Sequence, residues 1–106
     1  MPKYLVQASY TSEGAKGLLK DGGTKRRAAV EQMVTGLGGS LEAFYYAFGD
    51  ADVYVIVNAP DNVTIAAVSL AVNASGNVSL KTTPLLTAED IDQATKKSVS
   101  YRPPGH

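Results

Sequence analysis

Apolar and polar positions alternate over Lys3–Tyr10, with Tyr4, Val6, Ala8 and Tyr10 on one side and Leu5, Gln7 and Ser9 on the other. A period of two predicts a β-strand, because successive side chains of a pleated strand point to opposite faces. Thr11 or Ser12 is placed to cap a short helical segment running to about Lys20. Gly14 and Gly17 each weaken such a helix by roughly 1 kcal/mol relative to alanine. An irregular, turn-rich segment is therefore expected, unless packing or a ligand approaches the backbone there. Asp21-Gly22-Gly23 breaks the pattern, and Thr24 is the expected N-cap of a second helix. Val30, Met33, Val34 and Leu37 recur at helical spacing as its buried stripe, and Gly38-Gly39 ends it.

Ser40–Phe48 and Val53–Asn58 read as two strands joined by Gly49-Asp50-Ala51-Asp52, a hairpin signal. An even-length loop pairs Phe48 with Val53, Tyr46 with Val55 and Phe44 with Val57 on one face. Ala47 with Tyr54, Tyr45 with Ile56 and Ala43 with Asn58 then form the other, so both faces are largely apolar. Pro60-Asp61-Asn62 opens a third helix with Asp61 as its cap, and Gly76 closes it. Val63, Ala67, Leu70 and Ala74 make one apolar stripe along it, and Ile65, Val68 and Val72 a second. Asn77–Thr83 supplies a fourth strand, with Pro84 suiting a strand end or edge. Thr87 with Asp90 three residues on forms a variant capping box before a last helix to about Lys97.

Strand, helical region, two strands, helix and strand make an α+β domain. The expected fold is ferredoxin-like β-α-β-β-α-β, a four-stranded antiparallel sheet with helices on one face. One domain over residues 1–98 with a tail over 99–106 accounts for the chain, since 106 residues is single-domain size. Helices on one side leave a second apolar sheet face uncovered, and a helix apolar around most of its circumference asks for cover on two sides. Self-association, as a homodimer or higher homo-oligomer, answers both.

Composition removes several functions. Ten basic and ten acidic residues cancel, leaving no electrostatic footprint for nucleic acid or an anionic membrane. The strand Asp52–Val57 lacks the basic, glycine-rich aromatic pattern of RNA-recognition domains. Without cysteine there is no disulfide, Cys-zinc site or thiol catalysis. His106 is the single histidine and the last residue, so neither a metal site nor a bound cofactor is expected. Met1-Pro2-Lys3-Tyr4 runs into the first strand without an apolar leader, which points to the cytoplasm.

Three groups carry candidate chemistry. Asp52 begins a strand after a tight turn: as a functional group it is a catalytic general base, and as a structural one it accepts backbone N–H groups of the turn. Tyr10, Tyr45, Tyr46 and Tyr54 place phenols on the strands, as ligand-binding groups or as ordinary interface packing. Lys25-Arg26-Arg27 falls in a helix's first turn, where Arg26 is a candidate for holding an anion and the run as a whole reads as a solvated charged face.

Several runs together resemble GYD-domain proteins: Tyr10-Thr11-Ser12-Glu13-Gly14 with Lys16, Arg26–Ala29, Leu37-Gly38-Gly39, Phe44-Tyr45-Tyr46, Phe48-Gly49 with Asp52, Pro60-Asp61-Asn62, and Ala66-Ala67. The resemblance spans about Pro2 to Glu89. Gly49-Asp50-Ala51-Asp52 keeps the aspartate of the family's Gly-Tyr-Asp signature, with Ala51 where tyrosine is usual. The resemblance implies a dimeric α/β barrel, in which two ferredoxin-like sheets face each other, and no established activity. Two readings follow: a self-associating module that binds a small organic ligand, or a cofactor-free enzyme of monooxygenase or isomerase type using Asp52 and the tyrosines. The scarcity of acid–base side chains favours binding.

Overall fold

In a computed structural model describing Met1–His106, the elements run β1 (Lys3–Tyr10), α1 (Ser12–Asp21), α2 (Gly23–Gly36), β2 (Ser40–Tyr46), β3 (Val53–Asn58), α3 (Asn62–Ala74), β4 (Val78–Leu85) and α4 (Ala88–Thr95). The four strands form one open sheet in the order β2-β3-β1-β4, antiparallel throughout. The chain is thus α+β.

The alternation read from β1 is realised: Tyr4, Val6 and Ala8 are buried, and the residues between them half-exposed. Val53, Val55 and Val57 of β3 lie on the same face, paired with Ala8, Val6 and Tyr4. Val34 of α2 and Ile65 of α3 complete this core, so both helices cover that side. Burying a valine side chain contributes roughly 1.5–3 kcal/mol, which makes these paired strands the main source of cohesion. Tyr4 is 1% exposed, and its hydroxyl donates to Asn62 Oδ1 at the start of α3.

Four expectations are corrected. The segment after β1 is a regular helix rather than an irregular one, capped by Thr11, whose side chain accepts the Gly14 N–H. Thr24 is not the cap of α2, because the chain turns sooner. Gly22, at φ 81°, donates to Leu18 O to end α1 and is itself the N-cap of α2. That left-handed conformation suits glycine. The hairpin pairs β3 with residues two positions earlier in β2 than expected, with β2 ending at Tyr46, Tyr46 opposite Val53 and Phe44 opposite Val55. Ala47 N–H to Asp52 O (2.8 Å) closes this wider loop, and a bulge between Leu41 and Ala43 shifts the pairing by one further residue. A shift of two keeps Ala43 to Tyr46 on their expected faces, while the bulge brings Leu41 opposite Val57 on the core side. Finally, the α2 stripe is only partly buried: Val34 is inside and Val30 half-buried, while Met33 and Leu37 are 38% and 45% exposed.

The caps at Asp61 and Thr87 form as read. Asp61 accepts the Thr64 N–H at 2.8 Å, and Thr87 and Asp90 bond reciprocally at 3.0 and 3.1 Å. Every residue from Leu86 to His106 is exposed, and α4 packs substantially against no other element. The radius of gyration, 17.0 Å, accordingly exceeds the roughly 13 Å of a compact chain this long. No helix is long and apolar enough to cross a membrane.

Candidate functional site

α2 packs over β2 and α3 over β4, the two outer strands, so the central strands β3 and β1 lie beneath a gap between the helices. The gap is a cleft of about 270 Å³. Its floor is Val6 and Ala8 of β1 with Val53, Val55 and Val57 of β3. Small side chains at these positions explain why the floor does not rise to fill the space. Met33 and Ala29 line one wall, and Val68 and Val72 the other. Of the 17 lining residues 16 are hydrophobic, and Arg26 is the exception.

Arg26 stands at one end with Tyr10. Both also line an adjoining polar hollow that includes Glu13, Asp21, Ser75 and Asn77, so the guanidinium sits where apolar and polar spaces meet. Lys25 and Arg27 on either side are exposed, whereas Arg26 is half-buried. The ion pairs of the chain join Lys3 to Glu42 (2.9 Å) and Lys16 to Glu13 (3.4 Å), so Arg26 has no acidic partner. Its position in the first turn of α2 also opposes the helix dipole. Helix stability therefore does not account for it.

Tyr46 lies close to Tyr10 and Arg26, just outside the lining of both spaces. Its hydroxyl donates to Gly23 O at 3.0 Å, and its ring meets Phe44 edge-on at 5.2 Å. Burial pushes the Tyr46 phenol above its ordinary value. The nearby Tyr10 phenol adds to the rise, and the positive charge of Arg26 works against it. Tyr10, Tyr46 and Arg26 are thus one cluster, holding a protonated phenol near an unpaired cation.

The other candidates lie elsewhere. Tyr45 and Tyr54 face each other across the β2–β3 pair on the opposite side of the sheet, Tyr45 71% exposed. Asp52 is absent from the cleft wall. Its Oδ2 accepts the Tyr10 N–H at 2.8 Å while its own N–H donates to Ala8 O at 2.8 Å, extending the β1–β3 pairing and fixing the backbone that carries Tyr10. Ala51 beside it is buried. His106 is exposed at the end of the chain. No group of three or more His, Cys, Asp or Glu side chains converges for a metal ion.

The apolar walls escaped the sequence reading, which placed the site among the tyrosines. A signal for them existed: the helix-facing positions of both central strands, apart from Tyr4 and Tyr10, are all valine or alanine, too small to support two helices in contact above them. What the cleft can do is hold an apolar body against its floor with one polar group at Arg26.

No curated protein and no solved structure matches the chain. Residues 4–95 do match the GYD domain. With that match covering most of its length, the chain belongs to the GYD-domain family.

Proposed function

We propose that this chain is a self-associating, ferredoxin-like module that binds a small organic molecule between α2, α3 and the central strands. The cleft carries the reading. An unfilled apolar gap deprives its walls of dispersion contacts, and an apolar guest restores them. A dry cavity of 150 Å³ accommodates benzene, so by proportion this one suits a guest of on the order of ten carbon atoms.

Self-association is supported by what one chain leaves bare. Only 11 of 106 residues are buried, a small core for this length. Val63 and Leu70 on the outer stripe of α3 are 79% and 73% exposed. Beyond the helices, Leu5, Ala43, Tyr54 and Ile56 form an apolar centre on the open side of the sheet, where they pair in register across three strands. Two such faces brought together make the dimeric α/β barrel.

Titration with octanol, a neutral apolar guest, tests the cleft. Binding is expected, and Val68→Phe, which fills the gap from α3, is expected to weaken it at least tenfold. Equal affinity in the variant overturns the reading. Sedimentation at micromolar concentration tests the assembly, and a species of 11.1 kDa throughout refutes it.

A further inference from the structure

We infer that the guest is a monocarboxylic acid, its carboxylate on the Arg26 guanidinium beside the Tyr10 and Tyr46 phenols and its apolar body along the valine floor. This inference rests on the cleft reading above and adds the chemical class. Arg26 is half-buried at the mouth of an apolar cleft and has no acidic partner, and planar carboxylates match its paired donors in charge and shape. The Tyr46 O–H is donated to Gly23 O at 3.0 Å, so this phenol borders the guanidinium and leaves the carboxylate to the Arg26 donors.

The surroundings also set the number of charges. Apart from Arg26 and the Tyr10 phenol at the same end, the cleft offers no polar partner to a second charged group. The adjoining hollow carries Glu13 and Asp21, which repel one. A single anionic head at the junction, with an uncharged body on the apolar side, satisfies both. A diacid or a phosphate-bearing metabolite does not. Asp52 contributes indirectly, as a positioning residue: its bond to the Tyr10 N–H holds the end of β1 where the phenol meets the cleft.

Calorimetric titration of the full chain with octanoate and with octanol, equal in length and differing in the head group, tests the assignment. Octanoate is expected to bind at least about tenfold more tightly, as charge-assisted hydrogen bonds allow. Arg26→Met should bring the two guests within about threefold of each other, and an unchanged far-ultraviolet circular dichroism spectrum certifies that the variant is folded. Arg26→Lys should restore only part of the preference, since an ammonium lacks the planar fork. Octanol binding with no preference for octanoate overturns the carboxylate assignment alone. Binding of neither guest overturns the cleft reading beneath it. An Arg26→Met variant that retains the full preference also refutes the inference, by removing the guanidinium from the site.

Discussion

Replacing Gly14 by alanine would place a methyl group 2.0 Å from the carbonyl oxygen of Asn77 and 3.0 Å from the Tyr10 ring. Ordinary van der Waals contact requires the start of β4 to retreat by more than an ångström. Asn77 O is already engaged: it accepts from Thr11 N at 3.0 Å and from Thr11 Oγ1 at 3.2 Å. Losing both bonds costs about 1 kcal/mol each, and overpacking adds roughly 1–3 kcal/mol. The better helix propensity of alanine returns about 1 kcal/mol, for a net destabilisation of about 2–4 kcal/mol. Gly17, one turn along the same helix, supplies the control. An added methyl there meets nothing within 4 Å, so Gly17→Ala should stabilise by about 1 kcal/mol. In thermal unfolding at one fixed protein concentration, which holds any self-association constant, Gly17→Ala should raise the midpoint by roughly 4–8 °C and Gly14→Ala lower it by at least about 8 °C. Midpoints that move in the same direction for both variants would refute the claim that backbone approach requires glycine at position 14.

Three further outcomes are expected. The raised pKa of Tyr46, caused chiefly by burial, means that folding favours its protonated form. That stability is complete below the ordinary value of 10.0 and disappears as pH climbs through the higher folded value. Denaturant midpoints should therefore fall more steeply with alkaline pH in the native chain than in Tyr46→Phe, and parallel curves would contradict this. The Asp61 carboxyl is held below its ordinary 3.8 by the Thr64 N–H, so its contribution is present above that value and lost as pH falls through the lower folded one. Asp61→Asn should keep the cap but flatten this part of the acid limb, whereas Asp61→Ala should be less stable at every pH. Thr87→Ala removes the capping box of a helix that packs substantially against no other element of its own chain. Under dilute, monomeric conditions it should reduce helical circular dichroism without moving the midpoint of sheet unfolding, and a shifted midpoint would show that α4 supports the core.

Much of the fold was legible along the chain because it depends on local chemistry. Val53–Asn58 is a run of β-branched and aromatic residues beside turn residues and forms β3 over those residues. Asp61 and Thr87 precede helices and cap them through contacts three residues away, within the reach of a sequence pattern. Register was less accessible. Six residues between β2 and β3 can close in more than one way, and the Ala47–Asp52 bond decided it. The site was legible in part: Tyr10, Tyr46 and Arg26 were singled out and come together, whereas Tyr45, next in sequence to Tyr46, lies on the other face because strand neighbours must.

Taken alone, the sequence determined the strands, the helices, the caps of α3 and α4 and the two faces of the sheet, since each follows from the period of side chains or from a bond between near neighbours. Only the tertiary structure decided that α2 and α3 settle over the outer strands and leave a gap above the inner ones. It also turned Arg26 inward while Lys25 and Arg27 stayed in water, and made Gly14 indispensable where Gly17 is not. These outcomes depend on which surfaces meet across tens of residues of chain, and a linear pattern of polar and apolar positions carries no record of that distance.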